Sequence, residues 1–325
     1  MKNTNSQGVD NLSLKYFKKS AKTTAELLTR LTNCIIETER WPRKMKIQVV
    51  RPIYKKGAKN NFDNYRPIAI LPVLNKMIES FFVGQLKDFL AEGNILINEQ
   101  FGFQKGKGTN EALKFLNDNI ANALDDGKQV GAIFIDLQKA FDTINREKLI
   151  KKLKTNGLCE KFCGVLKSYL SNRSSCVKIE DEYSNIIDNN HGVPQGSILG
   201  PILFLIYVND VNEKGRMNLV LFADDILCLV ISENLQDLKI ELQKNLNWIQ
   251  DWCILNDLYI NEDKTKFMLF RMKDEDNFKL TIHKDKCNRK NCQNSCRQVV
   301  KADQITYLGM ILDNKWSFGK HIDNY

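Results

Sequence analysis

The chain has 325 residues, 43% of them hydrophobic and 27% charged, which is enough to bury one large core or two smaller ones and excludes a disordered segment. Lysine and arginine outnumber aspartate and glutamate by 48 to 39, a surplus of nine positive charges that suits a polyanionic partner. The polar start from Met1 to Asn11 excludes a secretory signal, and the most apolar run, Ile198 to Val211, is too short for a bilayer and broken by Gly200, Pro201 and Asn209. Cys34, Cys228 and Cys253 lie inside apolar runs, which predicts buried thiols instead of a disulfide framework. The expectation is a soluble, intracellular protein, nuclear or cytoplasmic, without a membrane partner.

Helical spacing from Leu12 to about Glu39 predicts one or two amphipathic helices. A β-rich run follows from Lys46 to Tyr54, then a charged segment from Lys55 to Asn64. A helix is predicted over about 74–90, ending at Gly93. The glycine-rich stretch from Asn98 to Thr109 leads into a helical pattern from Asn110 to Leu124. The apolar run Val130 to Asp136 reads as a buried strand that ends in a carboxylate. Beyond it, a helix from about Asn145 to Lys154 stops at Asn156-Gly157. Strands are expected over 174–191 with a turn near Glu182, then a Gly/Pro corner that opens an apolar helix near Ser197. Asn218–Phe222 and Ile226–Ile231 form a hairpin separated by Ala223-Asp224-Asp225, followed by a helix over about 235–252 and further strands. The class is α+β.

Two aspartates at a hairpin tip read, by themselves, more readily as turn formers than as a site. Asp136 changes the balance, because a charge at the end of an apolar strand is costly unless paired or metal-bound. If the strands are neighbours, the carboxylates of Asp136, Asp224 and Asp225 repel one another, and a pair of Mg²⁺ ions neutralises such a cluster. Two such metals serve nucleotidyl transfer.

Phe222-Ala-Asp224-Asp225 and Phe134-Ile-Asp136-Leu-Gln-Lys-Ala-Phe141-Asp142 resemble the catalytic motifs of reverse transcriptases. The resemblance continues in the family's order through Asn64-Tyr-Arg66-Pro, Phe101-Gly-Phe-Gln-Lys-Gly, Gly192-Val-Pro-Gln195-Gly196-Ser, Asn261-Glu-Asp-Lys264 and Tyr307-Leu-Gly309. Polymerases of non-LTR (LINE-type, jockey-like) retrotransposons are the nearest likeness. It implies an RNA-directed DNA polymerase that uses two Mg²⁺ (or Mn²⁺) ions, an RNA template, a DNA primer and dNTPs. Asp136, Asp224 and Asp225 would hold the metals, and Lys264 would protonate the departing pyrophosphate. Lys55 and Arg66 would grip the triphosphate, Gln195 and Gly196 would approach the nucleotide, and the Phe141 ring would exclude a 2′-hydroxyl.

The same likeness implies right-hand polymerase fingers and palm with an antiparallel palm sheet. Residues 1–45 would be a helical extension, 46–128 fingers, and 129–312 palm, with part of the fingers between about 145 and 190. Residues 313–325 would begin a thumb that is largely missing, and no endonuclease-like segment precedes the core. A truncated, non-catalytic nucleic-acid-binding remnant is therefore the alternative reading. Separately, His283, Cys287, Cys292 and Cys296 lie within fourteen residues. Their spacing lacks the Cys-x2-Cys knuckle of zinc sites, so a solvent-exposed loop is expected there before a zinc site.

Overall fold

A computed structural model describes residues 8–323 apart from 214, 273–277, 285–286, 288, 290–291 and 293–295. The chain divides into two compact units, Met1–Leu96 with Phe141–Val208, and Ile97–Ala140 with Asn209–Tyr325. In chain order the elements begin with α1 (Leu14–Lys19), α2 (Ala21–Thr38), β1 (Ile47–Tyr54), β2 (Tyr65–Ile70), α3 (Val73–Glu92) and α4 (Thr109–Asp125). They continue with β3 (Gln129–Asp136), α5 (Ala140–Thr143), α6 (Arg146–Thr155), α7 (Glu160–Leu170), β4 (Arg173–Ile179), β5 (Glu182–Tyr183) and β6 (Ile187–Asn189). Next come α8 (Leu199–Val208), β7 (Asn218–Phe222), β8 (Asp225–Ser232), α9 (Leu235–Leu255) and β9 (Lys266–Phe270). The last are β10 (Leu280–Ile282), β11 (Arg297–Lys301), β12 (Gln304–Tyr307), β13 (Met310–Asp313) and α10 (Gly319–Ile322).

In the first unit β1 pairs antiparallel with β2 and parallel with β4. Only the first half of β1 is buried, so the hairpin end from Arg51 to Tyr54, facing Tyr65 to Ile68, stands exposed. The helices of this unit enclose an unusual polar core. Glu79 and Asn75 are fully buried, and Glu79 accepts from Tyr169 Oη (2.7 Å), Asn75 Nδ2 (2.6 Å) and the Ile198 amide (2.7 Å). Trp41 Nε1 donates to Asn75 Oδ1 at 2.8 Å, and the Arg173 guanidinium lies 4.9 Å from the Tyr169 ring centroid. A buried carboxylate is tolerable only with its oxygens satisfied in this way.

The second unit is built on a sheet of order β10-β11-β9-β3-β8-β7. Both faces of β3 are covered, which is why its sequence is a continuous apolar run instead of an alternating one. Val130, Ala132 and Phe134 join Leu116 and Ile120 of α4 in one cluster. Gly131 faces the other way, and a Cβ there would meet Leu242 of α9 at 3.0 Å. The sheet is mixed instead of antiparallel throughout, because β11 runs parallel to β9. Parallel neighbours need a long crossover, and residues 271–296 supply it.

Three further expectations are corrected. Cys34 is exposed, since the buried face of α2 carries Thr24, Thr32 and Ile35, one helical step away. Helix α7 had no counterpart in the sequence reading, because Gly164 interrupts its apolar pattern of Cys163, Val165, Leu166, Tyr169 and Leu170. Asp225 belongs to strand β8 instead of the connection before it. Among the described residues no helix is long and apolar enough to cross a membrane.

Candidate active site

The central strands fix two carboxylates opposite each other. The register of β3 with β8 runs from Gln129↔Ser232 to Asp136↔Asp225, so the last pair of the ladder joins two aspartates. β7 pairs with β8 through Phe222↔Asp225, leaving a two-residue turn of Ala223 and Asp224. Ala223 adopts φ +57°, a left-handed conformation that costs a non-glycine residue roughly 1 kcal/mol or more.

Residues 99–102 brace that turn along the open edge of β7. The Phe101 amide donates to the Leu221 carbonyl (2.8 Å), and the Leu221 amide donates to the Glu99 carbonyl (2.9 Å). The buried Gln100 side chain accepts at Oε1 from the Gly102 amide (2.8 Å) and the Ala223 amide (3.3 Å). Gly102 must lack a side chain, since a Cβ would lie 2.4 Å from the Ala223 nitrogen.

Asp136 is anchored from the segment after α9. The Asn261 amide donates to the Asp136 carbonyl at 2.8 Å, and Asn261 Nδ2 donates to Asp136 Oδ1 at 3.2 Å. Lys264 Nζ lies 3.3 and 3.4 Å from the two carboxylate oxygens, with its side chain 58% exposed and that of Asp136 33% exposed. Asp225 sits at the exposed rim. Desolvation against the sheet, then the charges of Asp224 and Asp136, push its carboxyl up to about 6, while Lys264 pulls it down. Beneath, the buried Tyr307 ring packs on Phe134 with centroids 5.6 Å apart. Leu308 and Gly309, both at positive φ, form the two-residue turn joining β12 to β13.

These oxygen donors fit hard divalent cations. Three aspartates lie at one end of a sheet, and burial first, then the charges of the other two, holds the Asp225 carboxyl up. The carboxylates of Asp136, Asp224 and Asp225 are ones that could hold a divalent cation.

The first unit contains the other predicted residues. Gln195 donates from Nε2 to Asp142 Oδ2 at 2.8 Å, and its carbonyl accepts from the Ala69 amide at 2.8 Å. Gly196 has φ +107°, and a Cβ there would meet the Ala69 carbonyl oxygen at 2.5 Å. The corner is therefore pressed onto β2, and Arg146 clamps its start by donating to the carbonyls of Asn189 (2.8 Å), His191 (2.7 Å) and Gly192 (2.8 Å). Phe141 stacks on Phe204 of α8, with centroids 4.7 Å apart and planes 19° from parallel. Arg66 lies on β2 opposite Ile53, and the Lys55 amide donates to the Asn64 carbonyl at 2.8 Å.

Asn261, Gln100 and Gly102 all lie in or beside the quoted motifs, yet only the structure brings out their work on the aspartates. Asn261 stands three residues before Lys264, and its amide side chain was the available signal. Glu79 had little local signal, because two of its three partners lie 90 and 119 residues away.

Residues 53–312 match the family model described as reverse transcriptase (RNA-dependent DNA polymerase), and the chain belongs to that family. Its similarity extends to named relatives. It is 31% identical over 98% of its length to the probable RNA-directed DNA polymerase from transposon BS of Drosophila melanogaster, covering 35% of that protein. A probable RNA-directed DNA polymerase from transposon X-element of the same fly is 28% identical, and the RNA-directed DNA polymerase from mobile element jockey of Drosophila funebris is 27% identical. Each of these two matches covers 91% of this chain and 32% of the relative. The likeness to jockey-type retrotransposon polymerases read from the motifs is thereby borne out. The chain spans about a third of the length of these curated relatives. Among solved structures, apo telomerase from Candida tropicalis aligns with a TM-score of 0.53 and 13% identity, over 83% of this chain and 48% of that one, a likeness of fold alone.

Proposed function

We propose that this chain is the polymerising core of a non-LTR retrotransposon reverse transcriptase, extending a DNA primer on an RNA template with dNTPs. The observation that carries the proposal is the Asp136↔Asp225 register pair beside Asp224 at the adjoining turn. Mg²⁺ (or Mn²⁺) bound there would activate the primer 3′-hydroxyl and neutralise charge on the leaving pyrophosphate.

The protein's own contribution is positioning and proton control. Asn261 and Lys264 orient the Asp136 carboxylate, while Gln100 and Gly102 hold the turn that presents Asp224. Lys264 Nζ, beside the Asp136 carboxylate, is the general acid for pyrophosphate. Lys55 and Arg66, on the exposed β1–β2 hairpin, bind the triphosphate, and Arg66 offers a planar bidentate donor. The Phe141 ring, fixed by its stack on Phe204, excludes a 2′-hydroxyl, and Gln195 with Gly196 contacts the incoming nucleotide. In this reading the β3–β7–β8–β9 sheet is the palm, within 129–312, and the β1–β2 hairpin belongs to fingers over 46–128. Residues 1–45 are an extension, part of the fingers lies between about 145 and 190, and residues from 313 open toward a thumb.

Primer extension on poly(rA)/oligo(dT) with Mg²⁺ and dTTP tests this, comparing the chain with its Asp224→Ala, Asp225→Ala variant. Incorporation by the parent alone is expected. No incorporation by either, with duplex binding retained, overturns the enzymatic reading and leaves the nucleic-acid-binding remnant.

A further inference from the structure

Away from the carboxylates, the crossover between β9 and β11 carries a second set of metal-ligand side chains. The sequence spacing favoured an open loop, but the fold gathers the set. One ligand atom from each of His283, Cys287, Cys292 and Cys296 lies within 4.8 Å of all the others. Cys287 Sγ is 3.5 Å from Cys292 Sγ and 3.7 Å from His283 Nδ1. A tetrahedral zinc with bonds of about 2.3 Å to sulfur and 2.0 Å to nitrogen needs edges of roughly 3.5–3.8 Å, so the set is already near closure. All nine cysteines are thiols, and the 3.5 Å separation is far from a disulfide bond.

The ladder explains how the ends of this set meet. β10 and β11 pair through Leu280↔Val299, Thr281↔Gln298 and Ile282↔Arg297. His283 and Cys296 come next on each strand and so face each other, while Cys287 and Cys292 fold back from the loop between them.

Neighbouring groups support ligation. The Lys284 amide donates to Cys296 Sγ at 3.3 Å, which fixes that sulfur beside the other ligand atoms. Helix α9 fixes the His283 main chain on both sides of its Cα. The His283 amide donates to Gln250 Oε1 at 3.1 Å, and its carbonyl accepts from Gln250 Nε2. Arg289 within the loop is paired with Asp251 of the same helix. Lys284 stands beside His283 in the chain, and a cation there offsets the negative charge of a Cys3His zinc centre.

We propose that His283, Cys287, Cys292 and Cys296 bind one structural Zn²⁺ that fastens this crossover to α9 and to the edge of the sheet. Four protein ligands leave no open position, and the soft donors select zinc over Mg²⁺. The site is chemically separate from the aspartates and stands whether or not the chain polymerises.

The test is zinc content of the full chain, expressed with zinc in the medium and purified without chelator, with a cobalt(II)-substituted sample alongside. About one zinc per chain is expected, together with tetrahedral cobalt bands and thiolate-to-cobalt charge transfer. Cys292→Ser, Cys296→Ser should lose the metal, whereas His283→Cys, which keeps four soft ligands, should retain it. Asp224→Ala, Asp225→Ala should keep its zinc in full. A parent chain without zinc and without cobalt–thiolate bands overturns the proposal, as does a Cys287–Cys292 disulfide found by mass spectrometry under reducing preparation.

Discussion

Gly102→Ala tests how the aspartate turn is held. Its backbone is not in the left-handed region, so strain on φ plays no part and the effect is purely steric. The added Cβ would lie 2.4 Å from the Ala223 nitrogen, and 3.1 Å from both Gln100 Oε1 and the Phe222 carbonyl carbon. Ordinary contact begins near 3.4 Å, so the turn must retreat by about 1 Å. Overpacking of this kind costs roughly 1–3 kcal/mol, and losing the Ala223 hydrogen bond to Gln100 adds about 1. The expected melting point falls by roughly 5 °C. Displacing a catalytic group by 1 Å costs on the order of a hundredfold in rate, so single-nucleotide extension should drop by that factor while the chain stays folded. Gly84→Ala is the control, because it lies in α3 with no atom within 4 Å of its Cβ and should gain a little stability without loss of rate. Parent-like extension and melting in Gly102→Ala would refute the bracing role of residues 99–102.

Other perturbations follow from the same contacts. Asp225 moves from an ordinary value of 3.8 to about 6 on folding, so the folded chain binds more protons across that window and loses stability as pH rises through it. In a dry site that shift is worth roughly 3 kcal/mol, and screening at this exposed rim reduces it to about 1. Asp225→Asn should therefore melt about 2 °C above the parent at neutral pH and level with it near pH 4, and an equal gap at both would remove the electrostatic cause. Glu79→Ala strands the Tyr169 hydroxyl, the Asn75 amide and the Ile198 amide in the core, for a loss of roughly 3–5 kcal/mol in urea unfolding, against 1–2 for Tyr169→Phe. A loss under about 1 kcal/mol for Glu79→Ala would contradict the buried network. Asn261→Ala keeps the main-chain bond to Asp136 but removes one of the two side chains that hold its carboxylate, so steady-state extension should show kcat down about tenfold with KM and melting point little changed. An unchanged kcat would end the positioning role.

What the sequence made legible was whatever its own periodicity encodes. β3 could be read because both its faces are buried, which leaves an unbroken apolar run, and α9 because Leu238, Leu242, Leu246 and Ile249 keep helical spacing. The Asp turn was misread by one residue for a physical reason. A two-residue hairpin turn with φ above zero is ordinarily signalled by glycine or asparagine, and Ala223 gives no such signal. Its tolerance comes from Gln100, more than a hundred residues away in sequence. The gathering of the His/Cys set was likewise illegible, since ligand spacing along the chain cannot reveal that His283 and Cys296 flank a strand ladder.

The candidate site and the core are one problem in this fold. Asp136 and Asp225 face each other because the β3–β8 register is locked, and side chains on a strand change faces with every residue. A slip of one position would turn the whole of β3 over, moving Val130, Ala132 and Phe134 off α4 and driving larger side chains into the space that Gly131 leaves for Leu242. Burial on both faces therefore makes the ladder too costly to slide, and the repulsion between the carboxylates at its end is borne by that packing. The raised Asp225 carboxyl reflects its desolvation first and that repulsion second. Fine placement falls instead to short segments applied to the strand ends, 99–102 at the Asp224 turn and 259–264 at Asp136. Substitutions in β3 should accordingly be read in stability, those at Gln100 and Asn261 in rate, and Gly102→Ala in both.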